Sequence, residues 1–166
     1  GSLWNDAVLL NEASKLAENQ AALIELSELG LSMAGSAERY REMLLLGQAF
    51  CNAASAWPVP VLALLPNDIP YAVAVGVIGA GNGLATKSVL IAYLHSGASQ
   101  LVSAGIRLGV CGQVQGVSIL AALEPAIEGI AEKALLSARD DLGTSTIGAE
   151  ISSLRHEEMH SRLFRS

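Results

Sequence analysis

Apolar positions at Leu3, Val8, Leu9 and Leu16, then at Leu23, Ile24, Leu26 and Met33, recur at three- and four-residue spacing, with glutamates and Lys15 between them. That spacing predicts two amphipathic helices. Gly35-Ser36 separates them from a third, through Tyr40, Met43, Leu44, Gly47, Phe50, Cys51 and Ala54, which Trp57-Pro58-Val59-Pro60 ends. After Pro66-Asn67-Asp68-Ile69-Pro70, a turn able to cap a helix start, comes YAVAVGVI from Tyr71 to Ile78. Its alternation of alanine and valine suits a strand, but no other segment offers a pairing partner, and a lone strand leaves its backbone groups unsatisfied. The segment therefore reads as a short buried helix.

Gly79-Ala80-Gly81-Asn82-Gly83 breaks the pattern. Ser88 to Arg107 then sets Leu90, Tyr93, Leu94, Gly97, Leu101 and Ala104 on one side, with small residues permitting close helix packing. Gly109 to Gly112 breaks the chain again. Gln113 to Ala138 carries Val117, Leu120, Ala121, Ile127 and Leu135 on its apolar side, with Pro125 as a bend position. The expected fold is all-α: a single-domain helical bundle of about seven helices with a C-terminal tail. Residues 1–2 read as a cloning remnant, 3–146 as the helical core and 147–166 as the tail.

Composition narrows the partners. The net charge of −6 offers little to a phosphate backbone, so nucleic acid is not expected. Two cysteines, Cys51 and Cys111, do not make a disulfide scaffold; both lie in apolar helical stretches and read as buried, as does His95. A reducing, cytoplasmic setting fits. Between Asp68 and Glu124 the formal charges are Lys87 and Arg107 alone. The uncharged runs there are short and diluted with Gly, Ser, Asn and His, so they read as buried core helices and not membrane spans.

Three stretches invite chemistry. His156-Glu157-Glu158-Met159-His160 satisfies the H-E-x-x-H pattern, which on a helix sets two imidazoles and a glutamate around zinc. Only six residues follow it, so no downstream third ligand exists, and His156 and His160 remain weak metal candidates on a solvated terminal face. YAVAVGVIGAGNGLATKSVL suggests strand, glycine turn and helix, but the third glycine of a dinucleotide fingerprint would fall on Leu84 or Thr86, and no acidic residue follows at the ribose position. No G-x-x-x-x-G-K-[ST] loop is present. Without a nucleophile, a phosphate loop or a closed metal site, no catalytic residue is assigned and the chain is expected not to be an enzyme. Arg107 and Gln113 flank the glycine-rich break between the two longest helices, where a surface role is expected.

Ser153, His156, Glu157 and Ser161-Arg162-Leu163-Phe164-Arg165-Ser166 resemble the C-terminus of the urease accessory protein UreF family, whose chains finish with a serine, a His-Glu pair and Tyr-Ser-Arg-Leu-Phe-Arg-Ser. Arg107-Leu108-Gly109-Val110-Cys111-Gly112-Gln113 and the helix through Leu120 to Pro125 are similar to a second family stretch. His160 stands where the family has tyrosine, which separates it from any shared metal ligand. The family's N-terminal Pro-x-Gly stretch has no counterpart here, so the resemblance covers core and tail. It implies a cytoplasmic, often dimeric all-helical protein without a stably bound cofactor. It also implies partners: the scaffold UreD/UreH, the GTPase UreG, which handles nickel and GTP, and apo-urease. The partner-binding residues it points to are Arg155, His156, Glu157, Ser161, Arg162, Leu163, Phe164 and Arg165, with Arg107 and Gln113 on the core.

Overall fold

The structure is a computed structural model that describes residues 2–143, 148 and 151–152. Six helices form: α1 (Ser2–Lys15), α2 (Gln20–Ser32), α3 (Ala37–Ala54), α4 (Tyr71–Gly81), α5 (Thr86–Arg107) and α6 (Gln113–Leu135). Two short 3₁₀ turns lie at Pro60–Leu64 and Arg139–Asp141, so the described residues hold six helices against about seven expected. No strand occurs among the described residues.

Local chemistry places the ends. Asn19 and Ser36 each accept a hydrogen bond from a first-turn amide, of Ala22 and Arg39, and so start α2 and α3. The turn before α4 caps differently from the expectation: Pro70 occupies the cap position and no side chain bonds the helix start. Both glycine breaks are Schellman ends. Leu84 N bonds Gly79 O and Gly83 N bonds Ala80 O, while Val110 N bonds Gly105 O and Gly109 N bonds Ile106 O. Gly83 and Gly109 take φ of +70° and +73°, where a side chain would be strained. Gly79 to Gly83 is thus a helix-ending turn following a helix, not a phosphate-binding turn following a strand.

The core is built around α4 and α1. Tyr71 to Gly81 is a helix, with Ala72, Val73, Ala74, Gly76, Val77, Ile78 and Gly79 buried. α1 is buried without interruption from Asp6 to Asn11, a departure from the amphipathic surface helix its sequence suggests. α3 crosses α4 where Gly47 meets the backbone of Ile69, and α1 crosses it where Gly76 meets Leu10. A short connection joins α5 and α6 antiparallel, since Lys87 pairs with Glu132 while Gly116 packs on Val102 and Ile106.

Two polar groups are carried into this core by α1. The Asp6 carboxylate accepts from Arg39 Nη2 at 2.8 Å and from the Tyr93 hydroxyl at 3.1 Å, so one buried oxygen ties α1, α3 and α5 together. Burial pushes the Asp6 carboxyl above its ordinary value of 3.8, against the opposing pull of Arg39 and the Tyr93 hydroxyl. Burial and the neighbouring Asp6 charge push the Tyr93 phenol up strongly. Above pH 3.8 the unfolded chain has released a proton that folded Asp6 still holds, so the Asp6 contribution to stability falls as pH rises through that window and levels beyond it. Denaturant titrations of the protein and of Asp6→Asn, from about pH 4 to about pH 8, are expected to show the stability of the unsubstituted chain falling relative to the variant as pH rises. A relative gain over that range would contradict the assignment.

Candidate functional site

In the α5–α6 pair, the half nearest the core is buried at Leu90 and Leu94 of α5 and at Ile127, Ala131 and Ala134 of α6. In the other half Gly116 alone is buried among the residues from 98 to 126, covered by the side chains of its own partner helix. About half of each helix therefore stands clear of the remaining bundle. Val110, Val114 and Val117 are 78%, 82% and 59% exposed, and Leu101 and Leu108 beside them are 69% and 56% exposed. Contiguous apolar surface of this kind marks a site for a protein or membrane partner.

Arg107 and Gln113 lie on the surface of this tip, at the end of α5 and the start of α6, as expected. The Arg107 guanidinium donates to Ser103 Oγ at 3.0 Å, one turn back along α5. Gly112 caps α6 in an extended conformation with no side-chain bond to the first turn. The tip thus presents a cation and an amide within a field of valines and leucines.

Several expectations are corrected here. Val117, assigned to the inward face of α6, points outward, because the burying partner ends near the middle of the helix. α5 and α6 are not buried core helices along their length: in their most apolar windows 11% and 17% of residues are buried. By length and composition both could cross a membrane. His95 is exposed, on an open groove along α5 that Ile91, Ser96, Ser99, Ser103 and Arg107 also line. Cys51 and Cys111 are half-buried thiols; burial raises the Cys51 pKa above its ordinary value, which leaves it a poor nucleophile.

No group of three or more His, Cys, Asp or Glu side chains able to hold a metal occurs among the described residues. The weak metal candidates His156 and His160 lie outside the described residues. So do Arg155, Glu157, Ser161, Arg162, Leu163, Phe164 and Arg165.

Sequence reasoning missed how the end of the core is held. The Trp4 indole N–H donates to the Asp141 carbonyl at 2.9 Å, and the Gly143 amide donates to Asn5 Oδ1 at 3.0 Å. Asn11 Nδ2 donates to the Ser137 carbonyl at 3.2 Å, a buried bond. A polar Asn11 directly after the apolar run Ala7 to Leu10 was the signal available, since a buried amide needs partners.

The chain resembles known proteins throughout. The UreF family model matches residues 1–124. A urease accessory protein UreF of Agrobacterium fabrum (strain C58) is 57% identical over all 166 residues, which cover 74% of that relative. Those of Allorhizobium ampelinum (strain S4) and Mesorhizobium japonicum are 51% and 46% identical over the same residues, covering 72% and 74% of their lengths.

Proposed function

The chain belongs to the UreF family of urease accessory proteins, and on that premise we propose that it acts in urease maturation as a bridge. One side holds the UreD/UreH scaffold, the other meets the GTPase UreG, and the assembly delivers nickel to apo-urease in a GTP-dependent step. The chain itself binds no cofactor stably and catalyses no reaction; nickel and GTP stay with its partners. The observation that carries this reading is the exposed valine and leucine surface around Arg107 and Gln113, which a soluble monomer rarely displays without a partner. The absence of a nucleotide-binding loop motif from the sequence agrees with GTP being handled elsewhere.

A cytoplasmic homodimer completes the proposal. The groove along α5 carries the small and hydroxylated side chains Ser88, Ala92, Ser96 and Ser99 between the larger Ile91, His95 and Arg107, and at the small positions a second helix can approach closely. That face and the tip account for the exposed apolar lengths of α5 and α6 without a membrane.

Within this reading residues 147–166 are the scaffold-binding tail, with Leu163 and Phe164 as apolar anchors and Arg162 and Arg165 meeting carboxylates or carbonyls. Two such side chains supply roughly 3 to 6 kcal/mol gross on burial, less the cost of ordering the segment. Pull-down with purified UreD/UreH and UreG is expected to capture both on the intact chain. A chain lacking residues 155–166 should lose the scaffold and any GTPase held through it. Undiminished capture of both by the shortened chain would refute the tail assignment.

A further inference from the structure

We infer that Trp4, Asn5 and Asn11 of α1 form a clasp that fixes the path of residues 137–143, from which the C-terminal segment continues, making them positioning residues for partner binding. The inference rests on the reading of residues 147–166 as the scaffold-binding tail. Its own ground is the arrangement of bonds at the end of α6. That helix stops at Leu135, and a segment leaving a helix end is mobile unless it is tied down. Here it is tied at successive points. Asn11 takes the carbonyl of Ser137, Trp4 takes that of Asp141, and Asn5 takes the amide of Gly143. The Lys133 ammonium lies 5.1 Å over the Trp4 ring, Arg139 comes within 4.0 Å of Glu25 on α2, and the Asp141 carboxylate accepts from the Ala138 amide.

Hydrophobic burial alone does not account for this. Leu136 is 91% exposed, so apolar contact with the core is made further on, at the half-buried Leu142, and not at the start of the segment. Three α1 side chains instead bond its backbone, and backbone bonds specify the path whatever the local side chains are. The last tie among the described residues is at Gly143, whose φ of +117° only glycine adopts readily. Holding the start of a binding segment raises its effective concentration at the partner surface, whereas a loosened start spreads the segment over a larger volume.

Asn5 is the sharpest probe, because Asn5→Ala removes the acceptor while Asn5→Asp keeps it. Binding of purified UreD/UreH would be measured by calorimetry for the unsubstituted chain, Asn5→Ala, Asn5→Asp and Trp4→Phe, each with and without residues 155–166. In the intact chain, Asn5→Ala and Trp4→Phe are expected to weaken binding roughly three- to tenfold, with Asn5→Asp near the unsubstituted value. In the shortened chain none should change the residual affinity. Equal weakening in both backgrounds would assign the residues to fold maintenance and overturn the inference, as would no weakening in the intact chain. Should deletion of 155–166 alone leave affinity unchanged, the tail reading fails separately. Hydrogen exchange at the Gly143 amide then judges the clasp itself: faster exchange in Asn5→Ala than in Asn5→Asp supports it, and equal rates overturn it.

Discussion

Gly47→Ala is expected to destabilise the chain by about 3 kcal/mol or more, or to prevent folding outright. A methyl group there would run into the Ile69 carbonyl oxygen and lie 3.0 Å from the Ile69 carbonyl carbon and 3.1 Å from that of Pro70. These are backbone atoms, so no rotamer change relieves the clash. α3 would have to move away from the start of α4, and α4 is the helix whose residues fill the core. Ile69 is itself 1% exposed, which leaves no room to retreat. Gly76→Ala faces a similar obstacle in the Leu10 carbonyl, on the opposite crossing with α1. Gly129→Ala is the control, since nothing lies within 4 Å of the added carbon and α6 is continuous there. Alanine at that exposed helical position should raise stability by about 0.5 to 1 kcal/mol. Urea unfolding of the three variants separates the cases, and a Gly47→Ala chain as stable as Gly129→Ala would mean that the helices do not cross where the structure places them.

Much of this architecture was legible because the apolar spacing is local information. α2, α3 and the start of α5 follow from residues three and four apart and from the prolines and glycines that end them. α4 was legible by elimination: without a pairing partner, the alternating alanines and valines had to satisfy their backbone bonds within a helix. The length over which α5 and α6 are covered was not legible. Val117 and Ile127 have the same helical spacing relation to their neighbours, yet Ile127 is 6% exposed and Val117 is 59% exposed. The difference is made by where α1 lies against α6, which no window along α6 contains. His95 was misplaced for a similar reason, since its side of α5 has no covering helix among the described residues. For the candidate site, the sequence located the Arg107 and Gln113 turn but not the valines that surround it.

Long-range polar contacts were equally hidden. Asn5 and Gly143 are 138 positions apart, and Asp6 and Tyr93 are 87 apart. A single polar residue between apolar neighbours announces that a partner is needed without saying which one. Asp6 had candidates in every cation of the chain. Its selection of Arg39 follows from the packing of α1 and α3 on α4, which the close contacts at Gly47 and Gly76 set.

That selection makes Arg39→Leu the second large loss expected in the protein. The variant leaves the Asp6 carboxylate, whose side chain is 5% exposed, facing a leucine with only the Tyr93 hydroxyl to bond it. Uncompensated buried charge after loss of one partner costs about 3 to 5 kcal/mol. Arg39 retains 29% side-chain exposure, so water reaches the pair and the lower end, about 3 kcal/mol, is expected. Asp6 would escape part of this by keeping its proton, so the loss should be smaller at pH 5 than at pH 8, roughly in step with its higher pKa. Adding Asp6→Asn should recover much of the stability, because the charge that needed Arg39 is then gone. A double-mutant cycle by urea unfolding tests this, and additive losses would show that the two groups act independently. The cycle also bears on the exposed hairpin. Tyr93 carries the second bond to the same oxygen, so Asp6 and Arg39 anchor α5 to α1 and α3 at the point from which its outer half leaves the core. Loss of that anchor loosens the base of the surface that displays Arg107 and Gln113, and the stability deficit of Arg39→Leu should therefore be accompanied by faster amide exchange in the first half of α5 than in α2.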